Sequence, residues 1–211
     1  MLTQHYSQFG QDALIGDILF RGRRGVFVDV GARDGRVISN TIYLEQALGW
    51  TGVAIEPHPD LFAKLRQTRS CVCVNVAAGK QSATLEFIKL LEEPMGNSAL
   101  RATFRDPDRL RDMKHEIIPV QVEPLSQILG SIDLIHYLDI DVEGHELAVL
   151  QGIGFSRVEV RIIGVEAGGE RAAIDALLAK NGFRPFLQLQ ADRFYSQGAD
   201  VPSARRLLDL P

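Results

Sequence analysis

Cysteine is scarce in this chain of 211 residues, with Cys71 and Cys73 the only two. In "SCVCVNV" they alternate on one face of a predicted strand with no second Cys or His pair nearby, so a four-ligand structural zinc site is excluded and no metal site is assigned. They are expected to pack as small apolar residues. Excess positive charge is also missing: the net charge of -4 and pI near 5.7 argue against nucleic acid as a partner. No apolar run reaches the ~18 residues of a membrane span, and the opening "MLTQHYSQFGQDALIGDILF" is polar where a signal peptide needs its apolar core, so a cytoplasmic protein without membrane partners is expected. Repeats and low-complexity tracts are absent as well. What is present is 45% hydrophobic residues at a mean hydropathy near zero, enough for one well-buried domain over 1–211.

Three β-rich runs, "GVFVDVG", "TGVAIEP" and "CVCVNVA", alternate with helical spacing, and "IHYLDID" and "VRIIGVE" follow later. This rhythm predicts an α/β fold with a mostly parallel central sheet and helices on both faces. The first intervening helix is expected over Arg36–Leu48 and the second over "PDLFAKLRQTR", with a helical segment within 1–24. "TLEFIKL" and "IIPVQVEPL" read as added strands around the polar stretch 92–116, so 89–118 is taken as a variable insertion on the substrate side, either solvated surface or a lid. "GERAAIDALLAKNGF" is a helix ending at Asn181-Gly182, and "FRPFLQLQ" with "RFYSQ" forms a terminal antiparallel pair.

"FVDVGARDG" joins the first strand to the first helix. Gly31 permits a tight turn and Gly35 close packing, as in nucleotide-binding folds, but Arg33 replaces the middle glycine of the dinucleotide fingerprint. Asp29 and Asp34 repel a pyrophosphate. A ligand carrying a sulfonium, an ammonium and a ribose, such as S-adenosylmethionine, matches that polarity better. Glu56, closing the second strand 21 residues after Gly35, suits a ribose diol of either S-adenosylmethionine or NAD. Asp34 can alternatively cap the following helix.

A second cluster lies in "HYLDIDVEGHELAVLQGI". Asp139 and Asp141 share one side of a strand, where carboxylates are costly to bury without partners. Asp141, Glu143 and His145 are the candidate bases for deprotonating an attacking hydroxyl. The same oxygens suit a Mg²⁺ on a substrate diol, and both options stay open. Glu166 can reach the crevice from the fifth strand, whereas His5, His58, His115 and His136 read as surface or packing residues.

Together, "YSQFGQD", "FVDVGARDG", "SNT", "GWTGVAIEPHP", "NVAAG" and "LDIDVEGHELAVLQGI" resemble the FkbM family of S-adenosylmethionine-dependent methyltransferases over most of residues 6–155. The resemblance implies a Rossmann-like methyltransferase fold and O-methylation of a hydroxyl on a sugar or a polyketide-like natural product. It implies that Asp29, Gly31, Ala32, Asp34 and Gly35 form the cofactor turn, that Glu56 and Pro57 hold the ribose side, and that Asn75 and Ala77 border the adenine. Gln8, Gln11 and Asp12 are implied to close the pocket, with Ser39 and Asn40 at the methionine end. Asp141 and Glu143 then lie beside the transferred methyl, and Asn97 and Ser98 contact the acceptor. Relatives often carry lysine or serine in place of Asp139, which alters the local charge balance. The chain is short, so either the acceptor is small or a second subunit of a homo-oligomer helps to cover it. The competing readings are an NAD-dependent oxidoreductase and a binding module that holds S-adenosylmethionine without chemistry.

Overall fold

The computed structural model describes residues 4–92, 97–104, 108–166 and 168–197. One α-helical turn, α1 (Gln11–Ala13), runs on as a π-helix over Leu14–Leu19. Strands β1 (Val26–Val30), β2 (Thr51–Ile55) and β3 (Val72–Val74) follow, separated by α2 (Ile42–Gln46) and α3 (Pro59–Thr68). Next come β4 (Ala77–Gly79), β5 (Ala83–Leu90), β6 (Ala99–Leu100) and β7 (His115–Pro124), then α4 (Leu125–Ile128). The last part alternates again: β8 (Leu134–Ile140), α5 (Glu146–Gln151), β9 (Glu159–Glu166), α6 (Arg171–Lys180), β10 (Arg184–Leu189) and β11 (Asp192–Ser196).

Seven strands form one sheet in the order β10-β11-β9-β8-β1-β2-β3, in which β11 alone runs opposite to the other six. Strand order reverses between β1 and β8, and a crevice opens beyond the carboxyl ends of strands at such a switch point. Alternation along β1 sends Val28 and Val30 to one face, where they pack with Val149, Leu150, Ile174 and Leu178 of α5 and α6. Phe27 goes to the other face, against Leu14, Ile15, Tyr43, Leu44 and Trp50. Helices therefore cover both faces, as the sequence rhythm predicts.

The first helix differs from its expected Arg36–Leu48 span. The Asp34 carboxylate accepts from the N–H groups of Arg36 and Val37 at 2.9 Å, and Ser39 Oγ accepts from those of Thr41 and Ile42. These side-chain turns take up the backbone donors that would begin a helix, and α2 starts only at Ile42.

The strands expected in "TLEFIKL" and "IIPVQVEPL" are β5 and β7, paired antiparallel in a second sheet ordered β4-β7-β5-β6. Ala77, Phe87, Leu100 and Val122 form its core. The expected insertion 89–118 is thus partly woven into this sheet; its residues 93–96 and 105–107 lie outside the described residues. No helix among the described residues is long and apolar enough to cross a membrane.

Candidate active site

Most backbone donors of the turn after β1 are committed internally. Gly31 and Ala32 N–H both donate to Ile55 O at 3.0 Å, Arg33 N–H to Glu56 Oε2 at 2.8 Å, and Gly35 N–H to Ala32 O. With Arg36 and Val37 bound to Asp34, the turn offers no ring of N–H groups for a pyrophosphate, and no helix begins there to add its dipole. Gly31 has φ +93°, and a Cβ on it would lie 1.8 Å from the Asp141 carbonyl oxygen. Only glycine allows β1 and β8 to release their chains this close together.

On one side of the turn lies a hollow of about 520 Å³, bordered by Ile55, Glu56, Ala77, Ala78, Phe87 and Val142. Glu56 is buried at its wall and accepts one backbone N–H on each carboxylate oxygen, from His58 and from Arg33, at 2.8 Å. Burial nevertheless pushes its carboxyl up to about 7, outweighing those two bonds. His58 is fully buried: its Nδ1 accepts from Asp60 and Leu61 N–H at the start of α3, so Nε2, 3.1 Å from Leu90 O, carries the proton. That ring clamps the loop after β2 to β5. Asn75 pins the loop from the other side by donating to the carbonyls of Glu56 and Pro57 at 2.7 and 3.2 Å.

On the other side is a smaller hollow of about 310 Å³ with Asp29, Ser39, Asn40, Asp139 and Asp141 in its wall; Gly31, Arg33 and Asp141 belong to both hollows. Asp29 accepts from Thr41 Oγ1 at 2.5 Å and lies 3.7 Å from the buried guanidinium of Arg69. Arg69 also binds Glu45 and donates to Thr41 Oγ1 at 3.0 Å, with its guanidinium 5.1 Å from the Phe27 ring centre. Burial raises the Asp29 carboxyl against the pull of Arg69 and Thr41. Glu45 is lifted by burial too, but Arg69 and the N–H groups of Ser70 and Cys71 prevail and hold it below its usual value. Asp139 accepts from Tyr137 Oη at 2.6 Å and Asn40 Nδ2 at 2.9 Å, yet burial and the nearby Asp29 push its carboxyl well up.

A family model described as the methyltransferase FkbM domain matches residues 29–185. The chain belongs to the FkbM methyltransferase family. That family uses S-adenosylmethionine as methyl donor. A structural relative is an FkbM methyltransferase from Methylobacillus flagellatus KT, 14% identical, with a TM-score of 0.53 over 86% of this chain and 47% of the other. The present chain thus spans about half of that relative. Lower scores are found for the precorrin-6y C5,15-methyltransferase of Geobacter metallireducens GS-15 (10% identity, TM-score 0.46, 87% and 84% covered). The N-terminal domain of human METTL16 in complex with SAH scores 0.41 (15% identity, 88% and 68% covered). No curated protein sequence matches the chain.

The two hollows differ in character: the larger is mostly apolar with the buried Glu56 carboxylate at its wall, and the smaller is lined by the carboxylates of Asp29, Asp139 and Asp141. Asp141, the first residue after β8, is exposed to solvent and borders both hollows. The surrounding protein and the acids Glu166, Glu143, Asp139 and Asp192 push its carboxyl well up. Glu143, held at φ +55°, and His145 line only the larger hollow of these two. His145 packs toward the second sheet, where a Cβ on Gly79 would come 3.3 Å from its Nε2, and burial lowers its proton affinity.

The amino-terminal motif divides. Gln11 and Asp12 are buried; Gln11 Nε2 donates to Asp192 at 2.5 Å, and Asp12 accepts from Tyr6 N–H, Ser7 N–H and Ser7 Oγ. Through the bridge between Ser7 and Ile38 this segment meets the rim of the smaller hollow, while Gln8 is exposed. Ser98 lines the larger hollow and accepts from Leu90 N–H at 3.0 Å; Asn97 is exposed. Glu166 pairs in register with Asp192. His136 accepts from Val26 N–H and packs edge-on to Phe20 and Trp50. Sequence reasoning missed Arg69 and Phe87, since their roles depend on contacts made across the fold.

Proposed function

We propose that this protein transfers the methyl group of S-adenosylmethionine to a hydroxyl of a small molecule, a sugar or a polyketide-like alcohol, working in the cytosol as a single domain. The observation that carries the reading is the division of the cleft, with a buried Glu56 in an apolar hollow on one side and Asp29, Asp139 and Asp141 on the other. In the turn between them the N–H groups of Gly31, Ala32, Arg33 and Gly35 are already taken by the protein, which argues against the phosphates of NAD.

In this reading Glu56 accepts the ribose hydroxyls, with Pro57 beside it, and Ala77 and Phe87 flank the purine behind Asn75. Ser39, Asn40, Asp29 and Asp139 receive the methionine end. Bound there, S-adenosylmethionine supplies an electrophilic methyl on a sulfonium. The chain's own work is to align the acceptor oxygen with that methyl and to take its proton. Asp141 is the base of choice: it alone of Asp141, Glu143 and His145 lines both hollows, and its proton affinity is raised above that of an ordinary carboxylate. Gln11 and Asp12 close the cleft, and Asn97 and Ser98 approach from the second sheet.

Incubation with methyl-labelled S-adenosylmethionine and a panel of glycosides and polyketide alcohols, with and without EDTA, tests this. Label in an ether product supports the reading, and turnover unchanged by EDTA favours a side-chain base over a metal ion. Tight binding of phosphate-rich nucleotides with no heat from the donor or its demethylated product would overturn it.

A further inference from the structure

The amino-acid end of the donor is a zwitterion, and its carboxylate poses a difficulty in the smaller hollow. Three acids, Asp29, Asp139 and Asp141, suit an ammonium or a sulfonium there, but they repel an anion. Among the described residues lining the two hollows, Arg33 is the only arginine or lysine, and it borders both. Arg69, the other guanidinium nearby, is fully enclosed behind the wall by Asp29, Glu45 and Thr41.

Arg33 is also held in an uncommon way. Its backbone has φ +51°, a left-handed conformation that costs a non-glycine residue on the order of 1 kcal/mol or more, and its N–H is fixed by Glu56. Its Nε is shielded from solvent, and its charge already acts on the buried Glu56 carboxylate beside it.

Resting on the methyl-donor reading above, we propose that Arg33 binds the donor's α-carboxylate and sets specificity for donors that carry one. The residue that breaks the dinucleotide fingerprint would then be the one that recognises the amino-acid end.

Calorimetric titration of the full chain with S-adenosylmethionine and with its decarboxylated analogue, which keeps the sulfonium and an ammonium, reads this directly. Wild-type protein should prefer the carboxylate-bearing donor by about 10–100-fold, the range of a hydrogen bond between charged groups. Arg33→Gln should lose that preference by weakening the first donor alone, and Arg33→Lys should restore part of it. Equal affinity of the wild type for both donors, or a preference that survives in Arg33→Gln, overturns the inference and leaves the methyl-donor reading standing. A cooperatively melting wild type that binds neither donor overturns both. Should Arg33→Gln not fold, Arg33→Lys carries the test: a full wild-type preference in that variant overturns the inference, and a reduced one supports it.

Discussion

Asp29 and Asp139 stand directly opposite one another on the adjacent parallel strands β1 and β8, both buried, with a single guanidinium, Arg69, beside the first of them. Directly opposed like charges destabilise a sheet. The pair persists here because Thr41 and Arg69 serve Asp29 while Tyr137 and Asn40 serve Asp139. It makes the floor of the smaller hollow a place where a bound cation relieves repulsion.

Asp139→Asn therefore separates stability from binding. Burial and Asp29 raise the Asp139 carboxyl, so the folded state keeps a proton that the unfolded chain releases, and wild-type stability falls as pH rises above the unfolded value. The variant should gain about 1–2 kcal/mol at pH 8 and close to nothing at pH 4, while its affinity for S-adenosylmethionine drops about tenfold. Urea unfolding at the two pH values and calorimetry measure these; a variant less stable than wild type at pH 8 refutes the repulsion.

Glu56 makes one proton drive opposite trends. With a folded value of about 7 against an ordinary 4.5, it holds its proton longer in the folded state than in the unfolded chain. Its contribution to stability should decline across that window, by up to about 3 kcal/mol. Donor affinity should rise over the same range, because a ribose diol needs the ionised acceptor; at pH 6 only about a tenth of the sites are competent, giving roughly tenfold weaker binding than at pH 8. Titrations with S-adenosylhomocysteine between pH 5.5 and 8.5 check the slope, which should vanish in Glu56→Gln.

Arg69→Met should destabilise the fold by about 3–5 kcal/mol, because Asp29 and Glu45 lose the charge that holds them. Denaturant midpoints measure it. Adding Glu45→Gln should recover part of the loss, and simple additivity of the two changes would mean that the ion pair contributes no coupling.

Much of this was legible in the sequence where the cause is local. Valine and isoleucine runs mark β1, β2, β8 and β9, and the acids at Asp29, Glu56, Asp139 and Asp141 sit at or near the ends of those strands, where the switch point puts a crevice. The start of α2 was harder, because helical spacing over Arg36–Leu48 competes with the Asp34 and Ser39 side-chain turns that take the backbone donors. Arg69 follows a helix and looks like a capping cation; its partners Asp29, Thr41 and Glu45 lie 24 to 40 residues away, and only the packing of α3 against the sheet unites them. The same holds for Phe87, which reaches the larger hollow because β5 folds over it, and for His58, whose burial depends on Leu90.

Asp141 gives the sharpest test of the chemistry. It belongs to both hollows, and its carboxyl is raised by the enclosing protein and by Glu166, Glu143, Asp139 and Asp192. A carboxylate so placed keeps its shape on substitution by asparagine but cannot take a proton. Asp141→Asn should therefore lower kcat by about 10²–10⁴ while S-adenosylhomocysteine binds with nearly wild-type affinity. The wild-type rate should climb with pH as the Asp141 carboxyl ionises, and that limb should be missing from the variant. Wild-type turnover by Asp141→Asn would move the base to Glu143 or His145, whose position in the larger hollow would then require the acceptor to enter from the side of the second sheet.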